Sequence, residues 1–311
     1  MTSATARRPR TRGRRAARTT IARREHVAGW GFAFPFLLLF VVFMAGPVLA
    51  SFAMSFTDLR SADLRDPFGV NPVGLDNYVR LFGDDTFRQA ALNTAYFVLV
   101  GVPLTMVLGL AAAVGLDAGI TRFRTFFRVG YYLPVVTSIV AIAVVWRFVL
   151  EPDSGIVNTL LGYVGIEGPS WLTNPTTAMP ALIVMTAWRN LGYLMVIFLA
   201  GLQAIPRDLY EAAAMDGSGA WSRFRHVTLP LMRPTLLFGG VITGIGYLQF
   251  FEEPFVMTKG GPLDSTLSMA FYTYKQFGFG NYSYAAAVSY VLFIAIVVLT
   301  LVQFRLLRSK T

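Results

Sequence analysis

Cysteine is absent from the 311-residue sequence. This excludes disulfide frameworks, thiol nucleophiles and cysteine-ligated zinc or iron–sulfur centres. Charge is also scarce, since Asp, Glu, Lys and Arg make up 14% of the residues, where roughly 25% is usual for soluble domains. Hydrophobic residues make up 55%, and the mean hydropathy is +0.55. Because one soluble core of this length cannot bury so much apolar surface, the composition indicates an integral membrane protein.

Common catalytic motifs are missing as well. The sequence contains no G-x-x-x-x-G-K-[ST] phosphate-binding loop, no H-E-x-x-H and no G-x-S-x-G. Its two histidines, His26 and His226, have no acid or nucleophile at motif spacing. We therefore predict that the chain is not an enzyme by itself, that it has no catalytic residue, and that it binds no cofactor or metal.

Six apolar stretches are long enough to cross a bilayer, which needs roughly 20 apolar residues per helix. Prolines at positions 35, 47, 103 and 134 lie inside these stretches, where they bend a membrane helix without excluding it. The sequence therefore predicts an all-α integral membrane protein with six transmembrane helices, at about residues 30–56, 92–116, 129–150, 179–202, 235–257 and 285–307.

Positive charge is distributed unevenly between the two sides of these predicted spans. With the N-terminus inside, the inner segments hold 19 Lys and Arg residues and the outer segments hold 6. The remaining two, Arg147 and Arg189, lie within predicted spans. Because cytoplasmic loops are enriched in Lys and Arg, both termini are predicted to be cytoplasmic (N-in/C-in).

The first 29 residues contain nine arginines. We predict a disordered cytoplasmic N-terminus that touches anionic lipid. A nucleic-acid-binding arm is an alternative, but no aromatic or folded segment accompanies it. A cleaved signal peptide is another, but the following apolar run is too long and contains Pro35 and Pro47. The predicted organisation is 1–29 as this N-terminus, 30–308 as a six-helix transmembrane domain and 309–311 as a C-terminal tail.

Residues 204–234 interrupt the apolar sequence between the fourth and fifth predicted spans, on the inner side. Residues 209–215 are strong helix formers, and Gly217 can end that helix in the left-handed conformation. Ser218 can cap a second short helix with an apolar stripe formed by Trp221, Phe224 and Val227. Prolines at positions 230 and 234 are expected to end this second helix before the next span.

Two interpretations of this interruption remain open on pattern alone. The stretch can be an interfacial connector whose aromatic side chains dip into the lipid headgroups. Alternatively, the three consecutive alanines 212–214 form a small-residue surface that permits close approach by another protein.

The same stretch resembles the EAA loop of ABC importer permeases. The pattern E-A-A-x-x-D-G is followed by Phe seven residues after the glycine, then by L-P and a further proline. The matching residues are Glu211, Ala212, Ala213, Asp216, Gly217, Phe224, Leu229, Pro230 and Pro234. Other stretches resemble the carbohydrate-uptake branch, the maltose and glycerol-phosphate type of permease: Asn93-Thr94, FRTFFRVGYYLP, AWRNLGYLMVIFLAGLQAIP and TKGGPLDST. The resemblance covers roughly residues 30–308.

The resemblance implies the six-helix fold of type I ABC importer permeases in the cell (inner) membrane. It implies that the EAA loop, about residues 204–234, docks into a groove on a cytoplasmic ATPase subunit. The expected partners are a second, related permease, two ATPase subunits that carry the ATP-Mg, an extracytoplasmic sugar-binding protein and the lipid bilayer, with no nucleic acid. The residues expected to couple to the ATPase are Glu211, Ala212, Ala213, Asp216, Gly217, Phe224, Leu229 and Pro230.

Polar side chains at membrane depth are costly and often mark a transport pathway. The fourth and fifth predicted spans contain hydroxyl, amide, charged and aromatic groups that suit the hydroxyls and ring faces of a sugar. The predicted pathway residues are Arg189, Asn190, Tyr193, Thr243, Tyr247, Gln249 and Glu252. Arg189 can instead pair internally with Glu252 or Glu253, and the two tyrosines can serve only in packing.

The sequence therefore predicts a permease subunit of an ABC importer for a sugar, with a di- or oligosaccharide preferred. A permease for glycerol-phosphate is an alternative, because Arg189 can answer a phosphate charge. A self-sufficient ion-coupled transporter would favour buried acids in mid-membrane, and the only candidates are Glu252 and Glu253. A membrane scaffold would have no use for the EAA loop. The particular sugar is not readable from the sequence.

Overall fold

The protein is described by a computed structural model that covers residues 29–65, 69–118 and 123–307. Within these ranges the regular structure is helical, apart from an isolated β-bridge between Thr57 and Pro72. The all-α class predicted from the sequence is thereby confirmed. Residues 1–28 of the Arg-rich N-terminus and the tail 308–311 lie outside the described residues, so the predictions made for them stay predictions.

Long apolar helices alternate with short ones along the chain. A short 3-10 turn covers Ser61–Arg65. The helices are α1 (Gly29–Met54), α2 (Asp76–Phe82), α3 (Asp85–Ala118), α4 (Arg124–Val136), α5 (Ile139–Val149), α6 (Ile156–Tyr163), α7 (Pro175–Gln203), α8 (Arg207–Met215), α9 (Ala220–Leu248), α10 (Glu252–Met257), α11 (Met269–Gly278) and α12 (Tyr282–Leu307).

The chain divides into two units between Met54 and Ser55. The first contains α1, whose 26 residues correspond to about 39 Å of helix, enough to cross a bilayer. A π-helical turn at Val41–Ala45 interrupts its α-helical hydrogen bonding. The second unit contains all the other helices, and both candidate sites described below belong to it.

Five helices are long and apolar enough to span a membrane, namely α1, α3, α7, α9 and α12. The pair α4 and α5 passes the same test together but is bent by 101°. A single continuous helix over residues 129–150, as predicted, is therefore wrong. The break lies at Thr137 and Ser138, whose ψ angles of 144° and 128° are extended. The described part of the chain thus has five candidate spans, or six if the bent pair is counted as one crossing.

The fifth predicted span also differs from the structure at both ends. Its helix begins at Ala220, after Gly219 at the N-cap, so the predicted cap at Ser218 and the predicted stop at the two prolines are wrong. Pro230 lies in the first turn of Leu229–Leu248 and Pro234 lies inside it. Before these prolines, a π-helical turn at Phe224–Thr228 shifts the hydrogen-bond register, and such local adjustments let a helix continue through proline.

Helix α3 has its most extensive contacts with α7 and also packs on α9. Glycines allow the close approach. A Cβ atom on Gly109 would lie 2.8 Å from Cβ of Leu194, and one on Gly101 would lie 2.8 Å from Cε2 of Tyr247. Small residues at helix contacts are the usual device for tight packing in membranes. Gly101 thereby makes room for the Tyr247 ring between α3 and α9.

Candidate functional site

The interruption at residues 204–234 contains helix α8 and the start of α9 (residues 220–234), joined by a tight turn. These two segments are called the helix pair below. Helix α8 ends at Met215, and Gly217 takes a φ of +76°, as its position in the sequence predicted. The turn is closed by two backbone hydrogen bonds, from Gly217 N–H to Ala214 O and from Ser218 N–H to Ala213 O, both 3.0 Å. This pattern satisfies carbonyls that the helix end would leave free.

The outer surface of this helix pair is exposed. Glu211, Ala212, Asp216 and Gly217 are all exposed, whereas Ala213 is half-buried. Met215, which the sequence did not single out, is 89% exposed. A row of small and apolar side chains left open to the surroundings is a surface on which another protein can pack.

The inner surface holds the two helices together. The hydroxyls of Tyr210 and Thr228 share a hydrogen bond of 2.9 Å, and Thr228 is buried. The ring of Phe224 stacks on Trp221 at a centroid distance of 5.5 Å. Leu229 and Pro230 are half-buried at the start of the α-helical part of α9. The predicted coupling residues therefore divide into an exposed set on α8 and the turn, and a supporting set on α9.

A cavity of about 600 Å³ lies beside this helix pair. Tyr210 and Phe224 line it, together with three arginines, Arg124, Arg207 and Arg223. Arg124 is occupied within the chain, because its guanidinium donates to the carbonyls of Leu116 and Asp117.

The second candidate site is a polar cavity of about 340 Å³ between α7 and the C-terminal part of α9. The structure brings all the predicted pathway residues to its wall: Arg189, Asn190, Tyr193, Thr243, Tyr247, Gln249 and Glu252. Six further residues line it: Ile139, Thr186, Ile242 and Gly246, which the sequence did not indicate, and Phe250 and Glu253, which are adjacent to the predicted Gln249 and Glu252. Thr186 lies three residues before Arg189, and this helical spacing could have indicated it.

A helix break shapes one end of this cavity. Helix α9 stops at Leu248, and Gln249 to Phe251 connect it to the short helix α10. Gln249 and Glu252 are exposed at this break, whereas Glu253 is 4% exposed. Non-helical backbone at membrane depth occurs where it lines a cavity or is buried in protein.

The two predicted tyrosines have different environments. Tyr247 is 4% exposed, its hydroxyl shares a 2.7 Å hydrogen bond with Thr105, and its ring lies 5.2 Å from that of Phe97. Phe97 in turn stacks on Phe250 with centroids 3.9 Å apart. Tyr247 is therefore held in place by packing and by this hydrogen bond while it lines the cavity. Tyr193 is 37% exposed on the cavity wall.

Arg189 makes no ion pair within 4.0 Å with Glu252 or Glu253, both of which belong to the described residues. Its Nη1 atom donates to the side-chain oxygen of Asn190 at 3.2 Å. The internal pairing considered for Arg189 is thus not observed, and its charge is available at the cavity wall.

A third polar cluster surrounds Asp84, which directly precedes α3, and joins it to α11 and to the first turn of α12. The carboxylate of Asp84 accepts hydrogen bonds from the hydroxyls of Tyr272 and Tyr284, the latter at 2.8 Å. Partial burial raises the pKa of Asp84, but these hydrogen bonds and those from the Phe87 and Thr86 backbone N–H groups outweigh it, so the net pKa is lowered. Burial, followed by the hydrogen bond to Asp84, raises the pKa of Tyr272 to about 12.

Known proteins match this architecture over nearly its whole length. A family model described as "Binding-protein-dependent transport system inner membrane component" matches residues 101–308, which include both the exposed helix pair and the polar cavity. The chain belongs to this family.

Two relatives are named as permease proteins of sugar transport systems. The lactose transport system permease protein LacF of Rhizobium radiobacter is 38% identical over 300 residues, which cover 94% of this chain and 98% of LacF. The arabinooligosaccharides transport system permease protein AraP of Bacillus subtilis is 32% identical over 285 residues, covering 91% and 89%. These matches confirm the predicted resemblance to carbohydrate-uptake ABC permeases.

A solved structure shares the fold. It is a chain of a bacterial ABC transporter involved in the import of the acidic polysaccharide alginate, with a TM-score of 0.78 and 25% identity. The superposition covers 94% of this chain and 99% of that chain. The helical architecture of this chain is therefore that of a known ABC transporter chain.

Proposed function

We propose that this permease subunit forms half of the translocation pathway of an ATP-driven importer for a sugar, with a di- or oligosaccharide as the transported solute. The observation that carries the proposal is that the family match at residues 101–308 spans an exposed helix pair and a polar cavity in one compact unit. LacF and AraP are named for a disaccharide and for oligosaccharides, which supports this solute class.

The exposed helix pair is the proposed contact with a separate ATPase subunit. Glu211, Ala212, Asp216 and Gly217 would pack against the ATPase, while Phe224, Leu229 and Pro230 would support the pair from α9. Helix α9 runs without a break from this pair to the cavity, from Ala220 to Leu248. Movement of the helix pair on ATPase closure would therefore be transmitted along one helix to the cavity. Alternating access requires that the ATPase contact differ between the two states of the permease, and this helix would link that contact to the cavity.

The membrane arrangement follows from the same proposal. The bent pair α4–α5 would count as one crossing, giving six spans with both termini cytoplasmic. The exposed helix pair would then face the ATPase side, and the helix break at Gln249 would face outwards. A second related permease, two ATPase subunits and an extracytoplasmic binding protein would complete the assembly.

The cavity supports a sugar by its chemistry. Amide, hydroxyl and carboxylate groups of Asn190, Gln249 and Glu252 can bond sugar hydroxyls, and Tyr193 offers a partly exposed aromatic face. Glycerol-phosphate is less well matched, because two carboxylates accompany Arg189 in the cavity wall. The binding-protein dependence of the family argues against a self-sufficient ion-coupled transporter.

The test is purification of the tagged chain from its native membrane in mild detergent, followed by mass spectrometry of the proteins that accompany it. We expect one related permease and an ATPase subunit. The matched control is the same chain with Gly217 replaced by Trp, which should retain the permease partner and lose the ATPase. Recovery of the folded wild-type chain alone would contradict the proposal.

A further inference from the structure

Glu253 is the most buried acid of the polar cavity. It lies one residue into α10, just after the helix break, and 4% of its surface is exposed. Its Oε1 atom accepts a hydrogen bond of 3.4 Å from Thr186, and its Oε2 atom is buried with no hydrogen-bond partner. Buried carboxylates are almost always paired. Glu253 therefore keeps an unsatisfied acceptor on a residue that lines the cavity.

Arg189 has an unsatisfied hydrogen-bond donor, where Glu253 has an unsatisfied acceptor. Its Nε atom is buried without a partner, although Nη1 donates to Asn190. If Glu253 and Arg189 existed only to neutralise one another, they would form an ion pair, and none is present within 4.0 Å between these two described residues. One wall thus offers an unused acceptor and an unused donor. A sugar hydroxyl both donates and accepts, so a sugar can satisfy both groups.

The charges of the cavity limit which sugars fit. Its acidic and basic lining residues are Arg189, Glu252 and Glu253. They sum to a charge of −1 with all three ionised, or to zero if Glu253 holds a proton. In neither state does the wall offer the net positive charge that would offset the desolvation of an anionic sugar.

We propose that Glu253, with Arg189, contacts the transported sugar and makes this pathway selective for neutral sugars over acidic ones. The inference rests on the proposed function and deepens it, since it assigns a substrate class and a specificity-determining residue outside the group predicted from sequence. The same fold occurs in a transporter for an acidic polysaccharide, so the fold alone does not decide the charge of the solute.

The test measures sugar binding to the permease without the selectivity of the binding protein. The complex of this chain with its partner permease and ATPase subunits is trapped with Mg-ATP and vanadate. Equilibrium binding is then measured for a panel of neutral di- and trisaccharides, including lactose, each paired with the analogue in which one CH₂OH group is a carboxylate. We expect the wild type to bind at least one neutral sugar roughly tenfold or more tightly than its acidic analogue.

Two substitutions at position 253 separate charge from hydrogen bonding. Glu253→Gln keeps the size and one acceptor oxygen, so neutral-sugar binding should fall less than about threefold while binding of the acidic analogue rises about tenfold. Glu253→Ala removes the acceptor and should lower neutral-sugar binding by about tenfold. Glu151→Gln is the matched control, because Glu151 lies outside the cavity lining, and it should change neither value. ATPase co-purification and basal ATP hydrolysis report intact assembly.

The outcomes distinguish this inference from the proposed function. Equal or tighter wild-type binding of the acidic analogues, or a discrimination unchanged by Glu253→Gln, overturns the role of Glu253 and leaves sugar transport in place. Loss of assembly in both position-253 variants would show a structural role for Glu253 and also overturn the inference. If no sugar of either kind binds the assembled wild-type complex, the sugar assignment itself fails.

Discussion

At Gly217 the backbone conformation disfavours a side chain, whereas the surrounding space would accommodate one. Its φ of +76° disfavours any side chain, at a cost of about 1–2 kcal/mol for an L-residue. A Cβ atom there would meet no heavy atom of the chain within 4 Å, so a large side chain would project into open space. Gly217→Trp should therefore leave the helices inserted and folded, but abolish uptake by blocking the approach of the ATPase.

Gly165 provides the control for this substitution. It has a φ of +77°, is exposed, and also has nothing within 4 Å of a Cβ position, but it lies in the loop after α6. Gly165→Trp carries the same backbone strain without touching the helix pair, and should retain most of the uptake. Uptake by Gly217→Trp at the wild-type rate would show that α8 and its turn do not couple to the ATPase.

Asp84 joins three parts of the chain through two tyrosines. It precedes α3 and accepts hydrogen bonds from Tyr272 of α11 and Tyr284 of α12. Asp84→Asn should lower stability by about 1–2 kcal/mol at pH 7, because an ionised acceptor of two hydroxyl groups becomes a neutral one. The measurement is the thermal unfolding midpoint of the detergent-solubilised complex.

The effect of Asp84→Asn should depend on pH. Because its folded pKa is lowered, the ionised carboxylate contributes stability above its unfolded pKa of about 4, and the contribution is lost as pH falls through the folded value. The difference between wild type and variant should therefore shrink below about pH 4. Asp85→Asn is the control, since the Asp85 side chain is 94% exposed and pairs only with exposed Arg88. An equal loss in both variants would refute the role of the tyrosine hydrogen bonds.

At the scale of helices, hydropathy predicts where the spans lie but not where they bend. The stretch 129–150 is mostly apolar, and its residues of the usual helix-breaking kind are Gly130 and Pro134. The structure instead breaks it at Thr137 and Ser138, because the two halves pack on different partners: α4 on α7, and α5 on α10. Such a break depends on contacts distant in sequence, which a local pattern cannot contain.

Helix packing decides whether replacing a glycine of these spans by alanine stabilises or destabilises the protein. In a helix, Ala is normally favoured over Gly by about 0.5–1 kcal/mol. A Cβ atom on Gly115 of α3 would meet nothing within 4 Å, so Gly115→Ala should stabilise by about that amount. On Gly192 of α7 it would lie 1.9 Å from the carbonyl oxygen of Tyr131 in α4, and Gly192→Ala should destabilise by about 1–3 kcal/mol.

Thermal unfolding of the two glycine variants gives a direct comparison, because the chemical change is the same. Gly192→Ala should also weaken sugar uptake, since the displaced α7 carries Arg189 and Tyr193 on the cavity wall. Unfolding midpoints that rise equally in both variants would show that α4 and α7 do not pack as closely as the structure describes.

For the molecule as a whole, the residues of the cavity wall could be predicted from the sequence, but the contacts that those residues make could not. Polar residues on two apolar spans identified seven wall residues, from Arg189 to Glu252, because membrane helices rarely place such groups against lipid. The sequence did not predict that the Tyr247 hydroxyl is hydrogen-bonded to Thr105. It also did not predict that Arg189 and Glu253 form no ion pair with each other and each keep an unsatisfied polar atom. Those facts depend on the close contact of α3 with α9 and on the break after Leu248, which no spacing along the chain encodes.

The absence of cysteine makes the orientation of the whole molecule directly measurable. Met215 at the end of α8 and Leu263 after α10 are both 89% exposed, and they are predicted to lie on opposite sides of the membrane. In cells expressing the chain without its ATPase or binding protein, Leu263→Cys should react with a membrane-impermeant maleimide. Met215→Cys should react only after the membrane is disrupted, because positive charge retains the 204–234 segment in the cytoplasm. Equal exposure makes each variant the control for the other, and the wild type should give no signal. The reverse labelling pattern would show the opposite topology, in which the helix pair lies outside the cell and cannot contact a cytoplasmic ATPase.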